Sequence, residues 1–179
     1  MSKSGIEAVL AGKGDFVQID ALTKFLREEM TMEMKKFVLL KLAGLYEKVR
    51  MFTEAAKMCE SASLVSIAFS EKIKHLLRGV ELFIRAGDYD HADRLMKEAM
   101  VQASSVEKQE IYITVKRFYK DAAEDFEKKM KRAHAAKIYE KLLQMKLNDE
   151  ERSGIRERLL DLYEKLGRRK EYYALEKGL

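Results

Sequence analysis

Along the chain, apolar side chains recur every third or fourth residue rather than every second, and the recurrences break at short polar or glycine-containing segments. That spacing is the period of amphipathic helices, not of strands. Near the start it picks out Phe16, Ile19, Leu22, Phe25 and Leu26 as one face. Further on, the stretches Leu42 to Ala62, Gly79 to Ala99 and Ala122 to Leu142 share an internal arrangement. In each, an aromatic residue (Tyr46, Phe83, Phe126) is followed nine positions later by alanine (Ala55, Ala92, Ala135). Tyr163 supplies a fourth aromatic, and the four are 37, 43 and 37 residues apart. A recurrence of that length is the mark of stacked helix pairs.

The pattern has a packing logic. An aromatic near the end of a first helix fills the wedge between two helices, and alanine early in the second lets their backbones approach closely. Between them, Gly87 with Asp88, and Gly167 before a basic run, predict tight turns with glycine just past the first helix. Asp88 or Thr53 is the predicted N-cap of the helix that follows. A leading pair is expected over about residues 4–11 and 16–30, opened by the capping-box string Ser4, Gly5, Ile6, Glu7. The sum is about ten helices in five antiparallel pairs. The segments 1–35, 36–69, 70–103, 105–146 and 148–179 are expected to be successive units of a single all-α repeat domain, with connections at 62–70 and 103–110.

Leu42, Ala43, Tyr46, Ala55, Cys59 and Ala62 fall where tetratricopeptide repeats place their signature residues. Tyr119, Ala123, Phe126, Ala135 and Tyr139 match a second copy, and Leu76, Phe83, Ala92, Met96 and Ala99 a looser third. Over roughly residues 36–179 the chain therefore resembles the tetratricopeptide family. The terminal proline of such repeats is missing from every copy, and the 43-residue step exceeds the family's period of about 34. In those respects it also resembles the irregular helix-pair stacks of coat and trafficking proteins. The resemblance implies a right-handed α-α superhelix, no catalytic activity, and a concave face lined by the first helix of each pair.

Composition narrows the remaining classes. Proline is absent, glycine occurs nine times and 36% of the residues are charged, which disfavours a turn-rich β fold and intrinsic disorder. One cysteine, Cys59, excludes an internal disulfide, and His75, His91 and His134 lie too far apart in sequence for a local zinc motif. Cys59 is expected in the core and His91 at a capped helix start. Gly12 and Gly14 lack the spacing of a phosphate-binding loop. No catalytic, metal or cofactor site is predicted. No apolar run reaches the roughly eighteen residues of a membrane span, and the N-terminal residues lack the pattern of a secretory signal. Membrane insertion is not expected, and the chain reads as cytoplasmic.

Function then rests on surfaces. If the family's groove positions carry over, the concave face holds Phe37, Leu40, Gly44 and Lys48; then Lys74, Leu77, Glu81 and Arg85; then Arg117, Lys120, Glu124 and Lys128; and finally Glu157, Asp161 and Lys165. Leu40 and Leu77 are the predicted apolar anchors, unless the leading helices cover that half of the groove. Lys74, Arg85, Arg117, Lys120 and Lys128 are the predicted receivers of acidic groups on a protein or peptide partner. The carboxylate clamp of chaperone-binding tetratricopeptide domains needs groove asparagines, and the only asparagine is Asn148.

The net charge of +5 sits in the last third, residues 111–179, where Lys and Arg number 18 against 13 Asp and Glu. Lys129, Lys131, Arg132, Arg168, Arg169 and Lys170 fall at corresponding turns and form a candidate anion or RNA edge, although acidic residues interleave and no aromatic ladder accompanies them. Two alternatives to an adaptor follow: a ribosome- or RNA-associated factor using that edge, and a self-assembling coat-like subunit. Met30, Met32 and Met34 read as filler at a helix junction.

Overall fold

The computed structural model describes residues 2–178, and among these every regular element is an α-helix. The ten helices are α1 (Lys3–Leu10), α2 (Asp15–Phe25), α3 (Met32–Lys48), α4 (Phe52–Leu64), α5 (Phe69–Ala86), α6 (Tyr89–Gln102), α7 (Ser105–Lys128), α8 (Arg132–Leu143), α9 (Asp149–Leu166) and α10 (Arg169–Glu176). The fold class is all-α, with neighbouring helices packed in succession as in a helical-repeat protein. Contacts divide the chain into residues 1–111 and 112–179, a boundary that falls inside α7.

The turn inside each of the four later pairs is built the same way. The fourth residue after the aromatic adopts a left-handed conformation: Arg50 (φ 64°), Gly87 (80°), Met130 (57°) and Gly167 (69°). The next residue donates its amide back to the aromatic's carbonyl, Met51 to Tyr46 at 2.8 Å, Asp88 to Phe83 at 2.9 Å, Lys131 to Phe126 at 2.8 Å and Arg168 to Tyr163 at 2.9 Å. This bond closes the helix end and reverses the chain, because a left-handed residue there turns the last carbonyls toward the following amides. Two non-glycine residues accept the steric cost of that conformation.

The first unit contains α1 to α6 and the start of α7. Its leading cluster joins Ile6 and Leu10 of α1, Leu22 of α2, and Val38 and Leu42 of α3. Met30 and Met34 pack against it, while Met32 is exposed. Beyond lies a core of small and large residues, with Ala55, Ala56, Cys59 and Ala62 of α4 against α5, and Ala92, Leu95 and Ala99 of α6 on its other side. Gly79 marks the closest approach: a Cβ there would lie 2.7 Å from Leu95 Cδ1 and 3.5 Å from the Ala56 carbonyl oxygen. In the second unit, Tyr119 and Ala123 of α7, Ala135, Ile138 and Leu142 of α8, and Ile155, Leu159 and Tyr163 of α9 are buried. The alanines nine positions after the aromatics are all buried, as close helix packing requires.

Some local expectations need correction. Ser2, not Ser4, caps α1, accepting the Gly5 amide at 3.1 Å, so the helix starts two residues earlier than the Ser4 string indicates. Thr53 lies inside α4, whose N-cap is Met51, because the left-handed Arg50 has already turned the chain. Asp88 does cap α6, accepting the His91 amide at 3.3 Å. The connections are shorter than expected, 65–68 and 103–104, since α4 runs on to Leu64 and α7 begins at Ser105. Ser66 is tolerated in the first of these because its hydroxyl donates to the Ala62 carbonyl at 2.8 Å.

Candidate partner-binding surface

Helix spacing puts Phe37, Leu40, Gly44 and Lys48 on one side of α3. The leading pair covers part of that side. Phe37 packs against the leading cluster, with Lys3 and Lys41 ammonium groups 5.7 and 5.6 Å from its ring centre. Lys48 Nζ bonds Asp15 at 2.7 Å. Leu40 and Gly44 stay exposed, and beside them opens a pocket of about 480 Å³ between α3 and the turn that joins α1 to α2. Leu10 and Leu45 contribute apolar wall, while Glu7 and Lys41, bonded at 2.9 Å, and Gln18 give it polar edges. Such a volume suits one large side chain or a small ligand. Gly44 leaves the pocket clear, and nothing lies within 4 Å of where its Cβ would stand.

The predicted cations divide into bonded and free. In the first unit, Arg85 Nη1 donates to Glu47 Oε1 at 2.6 Å and its guanidinium lies 4.3 Å from the Phe52 ring centre. Arg78 bonds Glu47 from the same helix and also reaches Glu81. Burial alone would raise the Glu47 carboxyl, but the two guanidiniums hold it below its ordinary value. Lys74 is exposed and Leu77 half-buried.

In the second unit, Lys120 and Lys116 both bond Glu151, at 2.7 and 2.9 Å. They depress that carboxyl to about 2, with help from the Asn148 amide. Arg158 reaches Glu124 at 3.5 Å and donates to the Tyr139 hydroxyl at 3.0 Å. Arg117 and Lys128 are exposed. Arg85 and Lys120 are thus ion-paired within the fold, whereas Lys74, Arg117 and Lys128 are exposed.

The candidate anion edge surrounds two turns of the second unit. Lys129 pairs with Asp125, and Arg168 reaches Glu140 at 3.4 Å. Lys131 and Arg168 occupy the N-cap positions of α8 and α10, where neither supplies a side-chain cap. Arg132 is half-buried, and Arg169 and Lys170 are exposed. The first turn of α8 has no acidic residue, so cations stand where a helix start favours anions.

Sequence spacing did not foresee two features. His91 stacks on Phe83 and His134 on Phe126, both with ring centres 5.2 Å apart, a contact shared by two of the turns. Asn148 is the N-cap of α9 in a reciprocal capping box with Glu151. Cys59 is buried, and burial pushes its thiol up to about 11. Among the described residues no cluster of three His, Cys, Asp or Glu side chains could hold a metal ion, and no helix is long and apolar enough to cross a membrane. No family model matches the chain, and no significant match appears among curated proteins.

Proposed function

We propose that this chain is a non-enzymatic adaptor, a tetratricopeptide-like scaffold that holds a protein or peptide segment and uses the pocket beside Leu40 and Gly44 as its anchor. The observation that carries this reading is Gly44. Glycine inside a helix costs roughly 1 kcal/mol relative to alanine, yet packing does not require it here, since the space over it is open. A missing side chain at the mouth of a half-apolar pocket keeps room for a partner's side chain. Rigid helices preorganise these contacts, so the partner bears most of the ordering cost.

The test is selection of peptides from a displayed library on the full chain, followed by titration against Gly44→Leu. Selected peptides are expected to lose at least tenfold in affinity for the variant, whose helix content is unchanged. Equal binding by the two proteins rejects the pocket as the anchor.

A second reading, a factor that binds nucleic-acid phosphate, is favoured by the uncapped starts of α8 and α10 with Lys131, Arg132, Arg169 and Lys170 around them. It requires affinity for a single-stranded RNA oligonucleotide that falls steeply with salt, because each phosphate contact releases a counterion. Binding with a flat salt dependence, or none, removes it.

A further inference from the structure

Five large apolar side chains crowd one end of the first unit. Leu64 closes α4, Ile67 and Phe69 lie at the entry to α5, Val101 is in the last turn of α6, and Val106 in the first turn of α7. They are between 65% and 88% exposed. Chain reversal explains why they share one end: α5 packs on both α4 and α6, short connections make the three antiparallel, and the ends of α4 and α6 therefore flank the start of α5. Only Ala103 and Ser104 separate α6 from α7.

A connection that serves only to join helices has no need of such residues, and turns are ordinarily polar. Together the five present on the order of 600 Å² of apolar surface, about the non-polar share of the roughly 800 Å² that each partner contributes to a stable interface.

Charge selects the occupant. On the α5 side, Glu71 is taken up by Lys36 at 2.9 Å, and Lys72 lies 5.6 Å from the Phe69 ring centre, which leaves Lys72 and Lys74 as a positive flank. On the α7 side, Glu107 and Glu110 outnumber Lys108. The edge therefore carries opposite signs at its two ends, basic on the α5 side and acidic on the α7 side. An anionic membrane or a polyanion would be repelled by the acidic end while it met the basic one. A second copy related by a twofold axis sets the positive flank of each chain against the negative flank of the other, and an isologous contact needs that self-complementarity.

We infer that the edge formed by Leu64, Ile67, Phe69, Val101 and Val106 is the contact of a twofold homodimer, with Lys74 of each copy facing Glu110 of the other. The pocket beside Leu40 is lined by residues of α1, α2, α3 and the turn between the first two, none of which belongs to this edge, so a dimer would present two anchors and gain avidity toward a bivalent partner. Failure of the pocket reading would leave the dimer untouched, and the reverse holds as well.

Sedimentation velocity of the full chain over a micromolar to submillimolar series tests it. A monomer–dimer equilibrium is expected, weakened at least tenfold by Ile67→Glu and by Val101→Glu; both sites are exposed, so helix content is unchanged. Lys74→Glu and Glu110→Lys should each weaken self-association, and mixing the two variants should restore a dimer. A monomer at every concentration overturns the inference, as does a dimer indifferent to Ile67→Glu. Open-ended polymers, or a dimer indifferent to charge reversal, overturn the twofold arrangement. A monomer that co-sediments with phosphatidylserine vesicles through Ile67 assigns the edge to a membrane instead.

Discussion

Gly79 on α5 faces Leu95 on α6 so closely that a single added carbon would sit 2.7 Å from Leu95 Cδ1. Leu95 is fully buried, so its terminal methyl must make room within a close-packed interior. Overpacking of this kind costs about 1–3 kcal/mol, more than the roughly 1 kcal/mol a helix gains when alanine replaces glycine. Gly79→Ala should therefore lower stability, while Gly44→Ala, with open space at its Cβ, should raise it by up to about 1 kcal/mol. Urea unfolding of the two variants checks this. Equal shifts for both would mean that Leu95 does not pack tightly over Gly79.

The four left-handed turns give a second prediction. Arg50 and Met130 hold positive φ angles that Gly87 and Gly167 adopt without a Cβ clash. The conformation costs an L-residue about 1–2 kcal/mol, partly offset by the greater chain entropy glycine loses on folding. Arg50→Gly and Met130→Gly should each stabilise by roughly 0.5–1 kcal/mol, and Gly87→Ala should destabilise by about 1 kcal/mol. Thermal midpoints moving in those opposite directions are the expected result; stabilisation by Gly87→Ala would contradict the shared turn geometry.

These same turns show where the sequence was readable and where it was not. Tyr46, Phe83, Phe126 and Tyr163 were visible as equivalents because ring size and nine-residue spacing are local properties of a helix pair. Gly87 announced its turn, but Arg50 and Met130 did not, since their side chains carry no sign of a left-handed backbone. The surface was harder still. Arg85 meets Glu47 from 38 positions away and Lys120 meets Glu151 from 31, so both looked like free groove cations. Which acid a lysine reaches depends on how neighbouring first helices are set, and helical periodicity says nothing of that. Leu40 could be placed on a groove face, whereas the pocket beside it also needs the turn around Gly12, whose position is set by tertiary packing.

Glu151 gives a pH signature. Bonds from Lys120 first, then Lys116, lower its carboxyl to about 2. A carboxyl depressed in the folded state stabilises fully above its unfolded value near 4.3 and loses that contribution as pH falls toward the folded value. The group is close to solvent, so screening holds the effect to about 1 kcal/mol. Glu151→Gln should then be less stable than the parent at pH 7, with the difference shrinking between pH 4.5 and pH 2. A gap that stays constant across this range would deny the pairing. Lys116→Ala and Lys120→Ala should shrink the acid dependence in the same way.

Arg85 is a cation that the fold itself engages twice. Its guanidinium bonds Glu47 at 2.6 Å and covers Phe52 at 4.3 Å, two contacts that suit a planar fork and that a lysine ammonium cannot make together. Arg85→Lys should therefore destabilise nearly as much as Arg85→Ala, although it preserves the charge. Glu47 also bonds Arg78, so removing Arg85 alone leaves the carboxylate partnered and keeps the loss near 1 kcal/mol. A double-mutant cycle with Glu47→Gln should return a coupling of about 0.5–1 kcal/mol, the range for a partly exposed ion pair. Urea unfolding of the parent, the two single variants and the double variant measures it. A coupling of zero, with Arg85→Lys as stable as the parent, would return Arg85 to the pool of side chains free to receive a partner's carboxylate.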